Sequence, residues 1–292
     1  MPDSAISIRG LRMSYGETEA VRGIDLDVRQ GEIFAFLGPN GAGKTSTVEI
    51  LEGYRKRTGG EVSVLGEDPA HAGSAWRDRI GIVLQSNSLD PYLTVRESLE
   101  LYAGYFSHPR SVEETIALVG LEEKADERAR KLSGGQQRRL DVGMALVGDP
   151  ELLFLDEPTT GFDPSARRQF WDVIAGLRDL GKTIFLTTHY MDEAQRLADR
   201  VTIIAAGQIV AEGTPEDLGE RDKATTTIRF RDAAGEEVTI ETLDPVRELN
   251  RLTAAALERG EELEGLEVTR PSLEDVYLDL TSAPTEKAGA EQ

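Results

Sequence analysis

Apolar and polar residues alternate along AISIRGLRMSY (5–15) and AVRGIDLDVRQGE (20–32). That period of two predicts two half-buried strands with a turn near residues 16–18. EIFAFLGPNGAGKTSTVEILEGY then reads as a buried strand, a glycine-rich loop and a helix. GGEVSVLG and IGIVLQ are further strands. From Pro91 to about Gly120 the period changes: TVRESLELYAGYF and VEETIALVGL repeat their apolar residues at three- and four-residue steps, as helices do. ELLFLDEP and KTIFLTTH are short apolar runs of the buried-strand kind, separated by the helix PSARRQFWDVIAGLRDLG. Strands alternating with helices predict an α/β fold with a parallel sheet covered on both faces. RVTIIAAGQIVAEGTPEDL closes this domain, residues 1–218, with a hairpin and a short helix.

Beyond Leu218 the pattern starts afresh. TTTIRFRDAAGEEVTIE predicts two strands about a glycine turn, DPVRELNRLTAAALERG a helix, LEGLEVTR a strand, and PSLEDVYLDLTS a short helix opened by Ser272 and Asp275 in capping-box spacing. Together they make a small C-terminal α/β accessory domain, residues 219–281. Residues 282–292 are small and polar and are expected to be a disordered tail.

Composition narrows the chemistry. The 292 residues contain no cysteine and three histidines, which excludes thiolate metal sites and disfavours a histidine-rich one. No window reaches the ~18 apolar residues that a membrane span needs. The opening MPDSAISIRG lacks the basic-then-apolar order of a secretory signal, so a reducing cytosolic setting is expected. A net charge of −20 argues against direct binding of nucleic acid, which needs a basic face.

Three stretches carry chemistry. GPNGAGKT, Gly38 to Thr45, fits G-x-x-x-x-G-K-[ST] between a strand and a helix, the context this phosphate-cradling motif requires. The backbone amides of Gly38, Pro39-Asn40, Gly41, Ala42, Gly43, Lys44, Thr45 and the following Ser46 wrap phosphates, Pro39 supplying no amide of its own. Lys44 reaches the terminal phosphates, and the Thr45 hydroxyl suits Mg²⁺. LLFLDEP ends a hydrophobic strand on Asp156, a magnesium-side carboxylate, and Glu157, placed to deprotonate an attacking water. KLSGGQQRRLDVGMAL puts a Ser-Gly-Gly turn at a helix N-terminus, with Leu140, Met144 and Val147 on one face. Such a turn is either an ordinary cap with Ser133 as N-cap residue or a second anion site.

With these motifs the chain resembles the ATP-hydrolysing subunits of ATP-binding-cassette (ABC) transporters over roughly residues 5 to 218. The resemblance implies a P-loop ABC-type nucleotide-binding domain with an inserted helical subdomain at about 87–140, using ATP and Mg²⁺. LSGGQ at 132–136 matches the family's signature, whose Ser133, Gly134, Gly135 and Gln136 would cap the γ-phosphate held by a partner's P-loop. A homodimer, or another cassette–cassette pair, formed on ATP binding follows from that. Tyr15 matches the aromatic that stacks on adenine, and Gln85 the glutamine that touches Mg²⁺. His189 matches the switch histidine at the γ-phosphate, and Asp163 in TTGFDP the dimer-contacting loop. Phe162 departs from the usual leucine there, a change of packing.

The resemblance also implies a separate integral-membrane permease docked on the helical region, with Leu89, Tyr92 and Leu93 as candidate contacts. The chain would then lie at the inner face of the cell membrane. PSLEDVYLDLT resembles the C-terminal segment of drug- and antibiotic-export subunits of the ABC-2, daunorubicin-resistance type. An import ATPase and a soluble cassette ATPase acting on ribosomes or DNA are the competing readings.

Overall fold

The computed structural model describes residues 4–84, 89–218, 225–232, 235–260, 262–269 and 272–282. The chain divides into two compact units, Met1–Pro215 and Glu216–Gln292.

The first unit opens with two long strands, β1 (Ser4–Tyr15) and β2 (Thr18–Arg29), whose alternating burial follows the sequence period. Next come β3 (Ile33–Leu37), α1 (Lys44–Leu51), β4 (Gly59–Val64), the short α2 (Ser74–Arg77) and β5 (Ile80–Val83). Helices α3 (Val95–Ala103), α4 (Val112–Leu118) and α5 (Gly134–Leu146) follow. Then β6 (Leu152–Asp156), α6 (Pro164–Asp179), β7 (Thr183–Thr188), α7 (Met191–Leu197) and the hairpin β8 (Arg200–Ala205)–β9 (Gln208–Gly213) complete the unit.

These strands form two sheets. The main one has the order β5-β6-β7-β3-β8-β9, parallel except for the β8–β9 pair. The other is antiparallel, in the order β2-β1-β4. GGEVSVLG is therefore a strand, as its pattern predicts, but its partner is β1: Val62 and Val64 face Ile8 and Ile6 across that ladder. A single core cluster joins the antiparallel sheet to Phe34, Phe36, Phe154 and Phe185 of the main sheet. Phe185 lies 5.5–5.7 Å, centroid to centroid, from each of the other three rings. Burying each such ring stabilises the fold by about 1.5–3 kcal/mol. The other core cluster packs α3–α6 with Ile33, Leu153, Leu155, Ile184 and Leu186, the alternate positions of the same strands. A strand apolar on both faces is thus consumed from both sides.

Helix starts are written locally. Thr94 and Glu97 form a capping box on α3, and Asp163 caps α6 by accepting from the amides of Ser165 (2.8 Å) and Ala166 (2.9 Å), with Pro164 at the first helical position.

The second unit is a three-stranded antiparallel sheet, β10 (Thr226–Arg231) flanked by β11 (Glu237–Thr242) and β12 (Glu264–Thr269), with helices α8 (Pro245–Arg259) and α9 (Leu273–Ser282). Leu218, Ile228, Phe230, Ala256, Leu273 and Val276 are buried apolar residues among those described in it. Asp244 caps α8, Gly260 ends it in the left-handed region, and Ser272 and Asp275 cap α9 reciprocally. Residues 283–292, most of the expected tail, lie outside the described residues. Among the described residues no helix is long and apolar enough to cross a membrane.

Candidate functional site

In the sheet order β3 has β7 on one side and β8 on the other, and β6 stands one strand further along beyond β7. The carboxyl ends of β3, β6 and β7 therefore adjoin, the place where open parallel sheets bind ligands. That topology brings together residues far apart in sequence: the loop after Leu37, Asp156–Glu157, and His189.

The loop is shaped by what cannot fit. A Cβ on Gly38 would stand 2.3 Å from the Ile204 carbonyl oxygen, and one on Gly43, where φ is 106°, 2.5 Å from that of Ala20. Gly43 then leads into α1, whose first amides have no side-chain cap. Uncapped amides at a helix N-terminus, with the positive end of its dipole, favour an anion. Lys44 Nζ donates back to the carbonyls of Gly38 (2.5 Å) and Pro39 (3.1 Å), which keeps the ammonium at the loop. Burial lowers the Lys44 pKa, opposed by the charges of Glu157 and Asp156. Pro39, Asn40, Gly41, Gly43, Lys44, Thr45 and Ser46 line one cleft of about 450 Å³ together with Asp156 and Glu157.

Thr187 organises both acids. Its hydroxyl donates to Asp156 Oδ1, while its backbone carbonyl (3.0 Å) and its side-chain oxygen (3.1 Å) accept from the Glu157 amide. Glu157 is held at φ 42°, a left-handed conformation costing a non-glycine residue about 1–2 kcal/mol. His189 Nδ1 lies 3.3 Å from Glu157 Oε2, which also accepts from the Thr160 hydroxyl at 3.4 Å. The His189 ring packs on Tyr190 at 4.1 Å.

Two buried charges that the pattern of the chain does not single out brace this site. Glu193 on α7 is fully buried and accepts from Thr159 Oγ1 (2.9 Å) and Trp171 Nε1 (3.1 Å), tying the segment after Glu157 to α6. Arg138 on α5 is 4% exposed and donates to three backbone carbonyls, those of Pro158 (3.1 Å), Asp156 (2.9 Å) and Leu84. From sequence Arg138 reads as a solvated residue on a polar helix face; only Asp141, three positions on, hints at a buried ion pair. Arg138→Lys keeps the charge but lacks the three-pronged geometry. Turnover is expected to fall more than nucleotide affinity, since the contacts hold the acids rather than the phosphate loop. Steady-state kinetics with a parallel thermal melt measure this, and an unchanged kcat would remove the positioning role.

Ser133 is the N-cap of α5. Its hydroxyl accepts from the Gln136 amide (3.3 Å) and the Gln136 side chain accepts from the Ser133 amide (2.9 Å). The two glycines differ. A Cβ on Gly135 would meet Ala166 Cβ at 3.1 Å, whereas one on Gly134 would meet nothing within 4 Å. Gly135 thus lets α5 approach α6, and Gly134 leaves the helix end open. Gly134 lines a second cleft with Arg138, Glu157, Pro158, Thr160, Gly161 and Phe162. No residue of the phosphate loop lines it, and Glu157 borders both clefts. Phe162 packs edge-on against Phe170 at 5.7 Å.

Tyr15 ends β1 beside the phosphate loop, its hydroxyl 3.0 Å from Ser46 Oγ and the Arg55 guanidinium 5.2 Å over its ring. Ala42 is buried behind the loop, and its carbonyl accepts from the Gly207 amide. Gln85 lies outside the described residues. Leu89 packs against the helical core, Leu93 is half-buried, and Tyr92 is exposed under Arg130.

Comparison with known proteins agrees with this geometry. The family model described as "ABC transporter" matches residues 21–160. The chain is 40% identical over 309 residues to Nod factor export ATP-binding protein I of Burkholderia orbicola (strain AU 1054), covering 96% of this chain and 98% of that one. It is 36% identical over 307 residues to daunorubicin resistance ATP-binding protein DrrA3 of Streptomyces coeruleorubidus, covering 96% and 97%. Among solved structures it is similar to the ATP-binding cassette MJ0796, described as a dimer in a post-hydrolysis state bound to ADP and phosphate. That match has a TM-score of 0.63 and 26% identity, over 72% of this chain and 98% of that one. A phosphate loop and two strand-end acids on one cleft, set on this sheet, mark the chain as a member of the ABC transporter family, an ATP-binding subunit with ATPase activity and relatives of the export type.

Proposed function

We propose that this subunit hydrolyses Mg²⁺-ATP at a site completed by a second cassette and thereby drives a separate membrane permease that exports a drug-, antibiotic- or lipid-like substrate. The observation that carries the reading is the separation of the two anion-binding features: the phosphate loop and the open end of α5 line different clefts of one chain, with Glu157 between them. A head-to-tail pair would lay the Ser133 end of one chain on the nucleotide held by Lys44 of the other. The similar cassette described as a dimer supports this arrangement. The names of the export and resistance relatives support export over import, and work with a permease would put the chain at the inner face of the membrane.

Within the site, the loop amides and Lys44 bind the phosphates, and Tyr15 stacks on the base. Thr45 and Asp156 line one cleft with oxygen donors only, which suits a hard cation such as Mg²⁺ held jointly with phosphate oxygens; Gln85 is the further candidate ligand. Mg²⁺, when bound, supplies neutralisation of charge on the phosphates. Glu157 accepts the proton of the attacking water as its oxygen bonds to the γ-phosphorus and the bond to the β-phosphate oxygen breaks. His189, its Nδ1 3.3 Å from Glu157 Oε2, orients that acid, and its exposed edge is available to the γ-phosphate.

Sedimentation tests the composite site. Glu157→Gln with ATP and Mg²⁺ is expected to accumulate a dimer that the nucleotide-free chain does not form. Adding Ser133→Arg should abolish that dimer while leaving nucleotide binding nearly unchanged. A nucleotide-independent dimer, or one that tolerates Ser133→Arg, would refute the proposal. Tyr15→Ala should weaken ATP binding by about 1–3 kcal/mol, the scale of base–aromatic stacking, and GTP should bind nearly as well as ATP because a ring face reads no base edge. Fluorescent-nucleotide titration checks both expectations.

A further inference from the structure

His189 follows directly on β7, and its side chain is 43% exposed, so packing alone leaves the imidazole free to turn. Two contacts set its direction. Nδ1 lies 3.3 Å from Glu157 Oε2, and the ring meets that of Tyr190 at 4.1 Å between centroids, tilted by 39°. Neighbouring side chains of an extended strand point to opposite faces, so adjacent rings meet where the chain leaves that conformation. Here it does: the Tyr190 amide donates to Thr188 Oγ1 at 3.0 Å, and Tyr190 is the N-cap residue of α7, its carbonyl accepting from the Ala194 amide.

Tyr190 is itself gripped from another element. The Arg167 guanidinium, carried on the first turns of α6, lies over the Tyr190 ring at 4.1 Å. Arg167 Nη1 reaches Asp192 Oδ2 at 3.4 Å, whereas Nε is buried and has no hydrogen-bond partner. A buried donor without an acceptor is costly, and the aromatic face beneath the guanidinium offsets part of that cost. The Arg167 amide donates to the Asp163 carbonyl at 3.0 Å, so the side chain rises from the turn that Asp163 caps. Arg167, Tyr190, His189 and Glu157 thus form one chain of contacts from α6 to the catalytic acid. The hydrolytic steps derived above use neither Arg167 nor Tyr190.

We propose that Tyr190 is a positioning residue for the His189 imidazole and that Arg167 acts through it. Set between cation and imidazole, the phenol ring holds His189 beside Glu157 before nucleotide arrives. This rests on the reading that His189 and Glu157 serve hydrolysis. An imidazole already aligned gives up no freedom at the reaction. The stack should therefore act on turnover and leave nucleotide binding, set by the phosphate loop and Tyr15, nearly unchanged.

The chain has three histidines, so the full-length protein labelled at histidine gives three imidazole signals by NMR, and His189→Gln identifies that of His189. Tyr190→Leu removes the stacked ring and its ring current. It should shift the His189 signal and leave those of His71 and His108 in place, which also reports an intact fold. In the same variant kcat should fall roughly three- to tenfold, the scale of an aromatic pair, with KM for ATP within about twofold. Tyr190→Phe keeps the ring and should hold both signal and turnover close to the parent's. Arg167→Gln should also shift the His189 signal, but not when added to Tyr190→Leu, because a residue acting through another adds nothing once its intermediary is gone. Four results would overturn the proposal: an unmoved His189 signal in Tyr190→Leu, a Tyr190→Phe variant as slow as Tyr190→Leu, a loss carried by KM, or an Arg167→Gln shift that persists without the Tyr190 ring. If Tyr190→Leu does not fold, Arg167→Gln alone decides, and an unmoved signal there overturns the proposal. His189→Gln separates the layers. Parental turnover in that variant removes the hydrolytic role on which the proposal rests; slow turnover beside an unmoved signal in Tyr190→Leu removes the stack alone.

Discussion

Lys44→Ala is expected to abolish ATP hydrolysis, a loss of at least ~10³-fold, the upper scale for deleting one preorganised charge at a reacting group. In this site the effect has two parts. The ammonium faces Asp156 and Glu157 across one cleft, and their charges favour its protonated form. Removing it leaves two carboxylates facing incoming phosphates with no fixed cation between them. Binding should therefore weaken along with turnover. The fold should survive, because the Nζ contacts are to carbonyls of its own loop rather than to a distant element. Phosphate release and nucleotide titration, with a thermal melt as control, measure the three quantities. Hydrolysis within tenfold of the parent would show that the loop amides alone hold the phosphates.

Glu157→Gln should divide the same quantities differently. Turnover should fall by roughly 10²–10⁴-fold, the usual worth of a positioned general base, while nucleotide binding persists. The amide is isosteric with the carboxylate. It can still accept from Thr160 and stay beside His189, and the backbone at φ 42° is held by Thr187 whichever side chain is present. Geometry is thus conserved and only the proton acceptor is lost. Single-turnover kinetics isolate the chemical step; a variant that turns over at the parental rate would move the base elsewhere.

The two predictions separate roles that the cleft alone does not. Both residues border the same space, yet one is set by a helix start and the other by a strand end. Loss of binding in Lys44→Ala beside retained binding in Glu157→Gln would assign phosphate recognition to the first and water activation to the second.

What the sequence by itself determined is what short-range chemistry dictates. The strand–loop–helix around Lys44 is specified within a dozen residues, because loop closure and the start of α1 depend on glycines in the loop itself. The caps on α3, α5, α6, α8 and α9 are likewise legible, since each is a hydrogen bond between residues two or three apart. Hydrophobic period distinguished the strands from the helices and the α/β class from its alternatives. The tertiary structure alone decided which strands adjoin. GGEVSVLG has the period of any half-buried strand, and only its pairing with β1 sets it apart from the parallel sheet. The order β6-β7-β3 is what brings Asp156 and Glu157 to a loop more than a hundred residues away. The same holds for the buried polar residues. Thr187, Glu193 and Arg138 sit in unremarkable local sequence, and their importance comes from partners on other elements. A polar side chain looks the same in sequence whether water or protein will surround it; burial, which only packing confers, turns it into a brace.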